Sequence, residues 1–154
     1  LEENYKLKRS RNESNQHRQP PKKNLMRNNV FTWIIKLIAV VILLQTLFFK
    51  FSGAEESVYI FQTLGVEPVG RIGSGIVELI ASIFILIPRT TLLGALLGLG
   101  TMTGALVSHL FILGIEVKND GGELFILAII TFICCSILVY QHRSRLADVI
   151  QFKL

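Results

Sequence analysis

An all-α integral membrane bundle of four helices is the fold this sequence predicts, and three observations predict it. The chain of 154 residues is 51% hydrophobic with a mean hydropathy of +0.51, too apolar for a soluble basic domain despite a formal charge of +5 and a pI near 9.5. Its apolar residues gather into four stretches near the length that a hydrocarbon core demands, about 20 helical residues at about 1.5 Å each. Its charge is lopsided. Lys6, Lys8, Arg9, Arg11, Arg18, Lys22, Lys23 and Arg27 place eight of the sixteen Lys and Arg in the first 29 residues, against Glu2, Glu3 and Glu13 alone. The remainder balances eight basic against eight acidic residues, so its apolar character is stronger than the average. Composition argues against a soluble enzyme.

Residues 1–29 are rich in Asn, Gln, Lys and Arg, contain Pro20-Pro21, and offer almost no apolar positions. They are expected to form a disordered basic cytoplasmic tail. With no folded module and no interleaved aromatic platform, nucleic acid is not the expected partner. Contact with anionic lipid headgroups is available at about 1 kcal/mol per basic residue, but the plainest role of the tail is to set topology.

Span one covers 30–51, interrupted by Lys36, Gln45 and Lys50. A cleaved signal peptide is the competing reading, because Ser52-Gly53-Ala54 offers small residues behind an apolar run. The long basic tail and Lys50 favour a retained anchor. Ser52-Gly53-Ala54-Glu55 then reads as a capping box, opening a short helix that Gly65 stops, with Val58, Phe61 and Leu64 at roughly helical spacing. This helix is expected at the outer membrane interface, as an anchor or as a lid over the bundle. Span two is read as 68–87, since Pro68 suits a first helical turn. Span three covers 92–115, span four 124–141, and residues 142–154 form a C-terminal cytoplasmic tail. Connections this short make the helices antiparallel neighbours.

Direction follows from the basic residues. With the N-terminus inside, the tail, Arg89, Arg143, Arg145 and Lys153 put twelve on the cytoplasmic side, and Lys50, Arg71 and Lys118 put three outside. Trp33 and Tyr140 fall at the inner ends of spans one and four, where interfacial aromatics are expected. Both termini are therefore expected in the cytoplasm.

Ionisable groups inside a membrane are costly and are the default place to look for function. In this orientation Glu78, Lys50, Gln45, Arg71 and His109 all fall in the outer third, Glu78 about 10 Å below Arg71. Lys36, near the inner interface, is expected to snorkel. Arg71, Ser74, Glu78 and Ser82 are spaced 3, 4 and 4, a polar stripe on one helix face. Glu78 should face inward and find Arg71, Lys50 or His109 as partner. Span three adds Thr101, Ser108 and His109. Such a pocket suits proton relay, the oxygens of a quinone or a small anion; the alternative, weighed equally, is an internal ion pair that only fixes helix register.

Other sites are not expected. The three histidines fall too far apart to ligate haem in pairs, no Cys/His cluster suits zinc, and Gly73-Ser74-Gly75 lacks the strand and spacing of a nucleotide loop. Cys134-Cys135, adjacent in an apolar run, reads as packing. Gly94-x-x-x-Gly98 and Gly100-x-x-x-Gly104-x-x-x-Ser108 read as small-residue faces for helix contact, within the bundle or between protomers of a homo-oligomer.

The run Leu44-Gln45-Thr46-Leu47-Phe48-Phe49-Lys50-Phe51, then Gly65-Val66-Glu67-Pro68-Val69-Gly70-Arg71, Gly75-Ile76-Val77-Glu78-Leu79 and Ile87-Pro88-Arg89, resembles the DoxX family of small four-helix bacterial membrane proteins. His109-Leu110 and Gly114-Ile115-Glu116-Val117 before Asp120-Gly121-Gly122 are similar to one of its subgroups. The resemblance covers about residues 30–143. It implies a bacterial inner-membrane protein, and relatives include subunits of thiosulfate:quinone oxidoreductase and of complexes coupling oxidant defence to thiol metabolism. This chain shows no redox cofactor motif. The expectation is a non-autonomous subunit of a membrane redox or oxidant-stress complex, with a quinone or other small molecule beside Glu78. Lys50 and Arg71 would be charge partners, His109 a proton carrier, and Gln45, Ser74 and Ser108 further lining groups. A small-solute transporter and a ligand-free scaffold are the alternatives.

Overall fold

Four helices long and apolar enough to cross a membrane make up most of the computed structural model, which describes residues 22–143, with side chains from 29 onward. Helix α1 spans Lys22–Ser52, α2 Glu55–Thr63, α3 Val69–Leu86, α4 Thr91–Ser108 and α5 Glu123–Gln141; a π-helical segment, His109–Leu113, continues α4. Of the described residues, 22–34, the first turns of α1, form a unit of their own, and a second, packed unit begins at Ile35.

The element limits follow local chemistry. Helix α1 starts at Lys22, eight residues before the apolar boundary, because Lys22, Lys23, Leu25, Met26 and Arg27 are good helix formers directly behind Pro20-Pro21. The tail expected over 1–29 is thus helical from Lys22, and residues 1–21 lie outside the described residues, as do 144–154 of the C-terminal tail. The capping box is not formed. Helix α1 runs through Ser52, whose hydroxyl donates to the Phe49 carbonyl 3.3 Å away, and α2 starts behind Ala54 with no side-chain cap. Gly65 ends α2 as expected: its φ of +71° is the left-handed conformation that glycine adopts without strain, and its N–H donates to the Gln62 carbonyl. Pro68 stands at the N-cap of α3 rather than inside it.

All four spans read from the sequence lie within two residues of the helical stretches long and apolar enough to cross a membrane, Asn29–Ser52, Val69–Leu86, Thr91–Leu113 and Glu123–Gln141. The third is not α-helical throughout. Beyond Ser108 the backbone widens into the π-helical turn, where the Gly114 N–H donates to the His109 carbonyl, and Gly114, at φ +83°, ends it. Inserted turns of this kind re-aim a side chain and are frequent at functional sites.

The core takes Ala39, Val40 and Leu43 from α1, Ala81 and Ile85 from α3, Ala95 and Met102 from α4, and Ala128, Cys135 and Leu138 from α5. Both cysteines are buried and free. Gly94 sets the α3–α4 spacing. A Cβ there would lie 2.5 Å from the Ile85 nitrogen and 2.7 Å from the Ala81 carbonyl oxygen. Gly98 packs under the Cys135 sulfur and Leu43. The first small-residue pair therefore serves contact within the chain, by close backbone approach. The second set does not pack: nothing lies within 4 Å of a Cβ on Gly100 or Gly104.

Lys36 does not snorkel. Only 4% exposed, it donates from Nζ to Thr91 Oγ1 at 2.6 Å. The Thr91 hydroxyl in turn lies 3.0 Å from the Ile87 carbonyl and 3.2 Å from that of Ile85, at the C-terminal end of α3. A cation beside carbonyls that helical bonding leaves free is favourably placed, so inward burial here has an acceptor that sequence alone did not reveal.

Candidate functional site

A cavity of about 610 Å³ occupies the end of the bundle that carries Lys50 and His109. Its floor is apolar, from Leu43, Met102, Ala105, Leu127 and Ala128, and Gly100 and Gly104 widen it by withholding side-chain volume. The second small-residue set is thus cavity wall, not packing face. Helix α2 contributes Ser57, Ile60, Phe61 and Leu64, spaced as one helical face. Its expected apolar row shared Phe61 and Leu64 with this face but took Val58 in place of Ser57.

Glu78 is the buried acid, 2% exposed. Its Oε1 lies 2.5 Å from Lys50 Nζ, and its Oε2 lies 3.2 Å from Thr46 Oγ1. Thr46 also reaches the Leu43 carbonyl at 3.0 Å, so one hydroxyl proton is shared between two acceptors. Thr46 stands one turn before Lys50 on α1, the i,i+4 spacing that puts both on one face. That spacing was the signal in the sequence, but threonines in apolar helices usually bond their own backbone, which made this one easy to pass over. The Lys50 ammonium sits 5.8 Å from the Phe61 ring centroid, beneath α2.

Arg71 is not a partner of Glu78. Its Nε donates to Glu67 Oε1 at 2.8 Å and Oε2 at 3.0 Å, its Nη2 lies 2.8 Å from Oε1, and its Nη1 donates to the Lys50 main-chain oxygen. Glu67, four residues earlier, outcompetes Glu78 by proximity. Arg71 instead ties the last turn of α1 to the start of α3, satisfying a carbonyl that helix termination leaves free. In doing so it positions Lys50 without touching the cavity.

The polar stripe on α3 therefore divides. Ser74 and Glu78 line the cavity; Ser82 is buried beyond it and donates to the Glu78 carbonyl at 2.8 Å. Gln45 lines the rim from an exposed position on α1. Ser74 donates to the Arg71 carbonyl and Ser108 to the Gly104 carbonyl, leaving each hydroxyl oxygen able to accept from the cavity.

His109, 5% exposed, opens the π-helical segment and lines the same cavity. Its Nδ1 lies 2.8 Å from the Gly114 carbonyl oxygen, and its ring meets Phe125 edge-on with centroids 5.7 Å apart. A carbonyl only accepts, so Nδ1 carries the proton, and in that tautomer Nε2 is the acceptor. His109 does not bond Glu78.

The loop after the π-helical turn closes this end. Asp120 accepts from the Val117 and Gly122 amides through Oδ1, at 2.8 and 2.9 Å, and from the Leu124 amide through Oδ2, at 3.2 Å. Burial alone would raise its pKa, but these three donors hold the carboxyl below the usual range. Lys118 pairs with Glu55 at the start of α2 and lies 5.4 Å from the Tyr59 ring centroid. Lys118 holds the Glu55 carboxyl below its ordinary pKa, first by hydrogen bonding and then by charge. Helix α2 is thus strapped to the 114–122 loop at one end and rests over Lys50 at the other. Among the described residues, no three His, Cys, Asp or Glu side chains gather to hold a metal ion.

Fold and site together define a helical protein with four helices long and apolar enough to cross a membrane and a cavity at one end lined by acidic and basic side chains. Comparison with family models, with curated proteins and with solved structures finds no match to this chain.

Proposed function

We propose that this chain is a DoxX-like, multi-pass protein of a bacterial inner membrane, with both termini cytoplasmic and the cavity in the outer half of the bundle. It serves as a non-autonomous subunit of a membrane redox or oxidant-stress complex, and the cavity binds a quinone or another small molecule. Helix α2 lies at the outer interface and roofs that cavity. The motif resemblance and the twelve-to-three division of basic residues support the setting. The cavity beside the buried Lys50–Glu78 pair carries the ligand reading, because a concave, mostly apolar space with a few convergent polar groups is the usual form of a small-molecule site.

The test is purification in mild detergent from native membranes, followed by mass spectrometry of co-purifying proteins, quinones and lipids. Glu78→Gln should abolish retention of the small molecule while leaving insertion intact. A second reading has its own observation: both oxygens of Glu78 are already satisfied within the chain, as a pin between α1 and α3 requires. If Glu78→Gln lowers stability and leaves the retained molecules unchanged, the pin is the right reading.

A further inference from the structure

One buried polar atom near the roof of the cavity has no partner among the described residues, Oγ of Ser57. Ser57 is 6% exposed, lies on the face of α2 that lines the cavity, and stands between Glu55 and Tyr59, the two residues engaged by Lys118. Leaving a buried hydroxyl unsatisfied is costly, so such an atom calls for a partner. Helix α2 also packs on the π-helical segment that begins with His109. At this end, then, a hydroxyl without a partner and an imidazole nitrogen able to accept line one space.

The charges of the wall narrow what can enter. Lys50, Lys118, Glu56, Glu78, Asp120 and Glu123 line the cavity, four carboxylates against two ammonium groups. Both ammonium groups are engaged, Lys50 by Glu78 and Lys118 by Glu55. An anion would meet a net negative wall with both cations committed. A cation would find Glu78 held by Lys50 and Thr46 and Asp120 held by three backbone amides, while Glu56 is half-buried and Glu123 exposed, so neither offers a buried charge. Among the fully buried polar groups of the wall, those with valences still open are uncharged: His109 Nε2 accepts, and Ser57 Oγ both donates and accepts.

We propose that the cavity selects a neutral, largely apolar molecule carrying a hydroxyl, an alcohol or a phenol, whose O–H donates to His109 and whose oxygen accepts from Ser57. This rests on the reading of the cavity as a ligand site and specifies its ligand class. A carboxylate is excluded by the wall, and an ether or hydrocarbon of the same shape loses the donor that His109 requires.

Four probes of one shape test it on the full chain in nanodiscs, with empty nanodiscs subtracted: 2-naphthol, 2-methoxynaphthalene, 2-naphthoate and protonated 2-naphthylmethylamine. The naphthol should bind roughly tenfold more tightly than the methyl ether, the difference that about 1.4 kcal/mol of hydrogen bonding makes. Ser57→Ala should weaken the naphthol and the methyl ether alike, by roughly fivefold, because the oxygen of each accepts from Ser57, with thermal stability equal or higher since it deletes an unsatisfied group. His109→Phe should weaken the naphthol alone and spare the ether, and so remove the preference. Equal binding of naphthol and ether by the unmodified chain overturns the hydroxyl selection but leaves the ligand site standing. Tightest binding of the naphthoate or the ammonium probe overturns the ligand class. No binding of any probe above empty nanodiscs overturns both the class and the site.

Discussion

Lys50 and Glu78, 28 residues apart in the chain, meet at 2.5 Å, and the carboxylate of the pair is almost wholly removed from solvent. The arrangement joins the last turns of α1 to the middle of α3 and sets the charge of the cavity wall. Taking two charges out of water is expensive, and the attraction between them only roughly offsets that cost. Breaking the pair from one side is the worse outcome, because it strands a charge.

Lys50→Met should therefore destabilise the protein by about 3–5 kcal/mol, the usual cost of leaving one member of a buried pair alone. The double variant Lys50→Met/Glu78→Met should recover most of that loss. Thermal unfolding in one detergent, run as a double-mutant cycle, measures both. Additive losses would show that the two side chains do not stabilise one another.

Two glycines on α4 should behave in opposite ways. At Gly94, alanine places a Cβ against α3 backbone that cannot move aside, and should cost about 1–3 kcal/mol by overpacking. At Gly104, alanine has free space, and Gly104→Leu should fill the cavity with little change in unfolding temperature. Binding of 2-naphthol should fall in Gly104→Leu and persist in the alanine variant. Loss of stability in Gly104→Ala would contradict the assignment of this face to the cavity wall.

Asp120 ties its loop together with three backbone amides, and its carboxyl is held below the ordinary range. A depressed folded-state pKa gives stability that is complete above the unfolded value, about 3.9, and is lost as pH falls through the folded one. Hydrogen exchange of the Val117, Gly122 and Leu124 amides should hence be slow at neutral pH and should accelerate, relative to the intrinsic rate, below about pH 4. Asp120→Asn should show the faster exchange at all pH values, with a stability loss of about 1 kcal/mol after solvent screening. A wild-type pattern in Asp120→Asn would show that shape alone holds the loop.

Topology is open to direct labelling. With Cys134 and Cys135 buried, background reaction with a membrane-impermeant maleimide should be low. Asn119→Cys should label in intact cells, and Ser10→Cys only after the cells are broken. The reverse pattern would invert the proposed orientation and move the cavity to the cytoplasmic side.

Much of this molecule is legible in the linear chain, and the reasons are local. Apolar runs near 20 residues announce helices because every backbone polar group in lipid must be bonded within its own segment. Gly65 could be placed at a helix end because its freedom at positive φ is intrinsic to the residue. Limits that depend on neighbours were less legible: Ser52 fits a cap in sequence, yet its helix runs through it.

For the site, the sequence by itself determined which groups are too costly to leave in an apolar helix, and so singled out Glu78, Lys50 and His109. Only the tertiary structure decided who pairs with whom. Lys50 takes Glu78 because α1 and α3 bring them together, while Arg71 is captured by Glu67 on its own local stretch. Lys36 turns inward because Thr91, 55 residues away, comes within reach. Gly100 and Gly104 wall a cavity, while Gly94 and Gly98 pack, although all four look alike as small-residue spacing. Burial cost belongs to a side chain and can be read from its identity; partnership belongs to a pair of positions and exists only once the chain has folded.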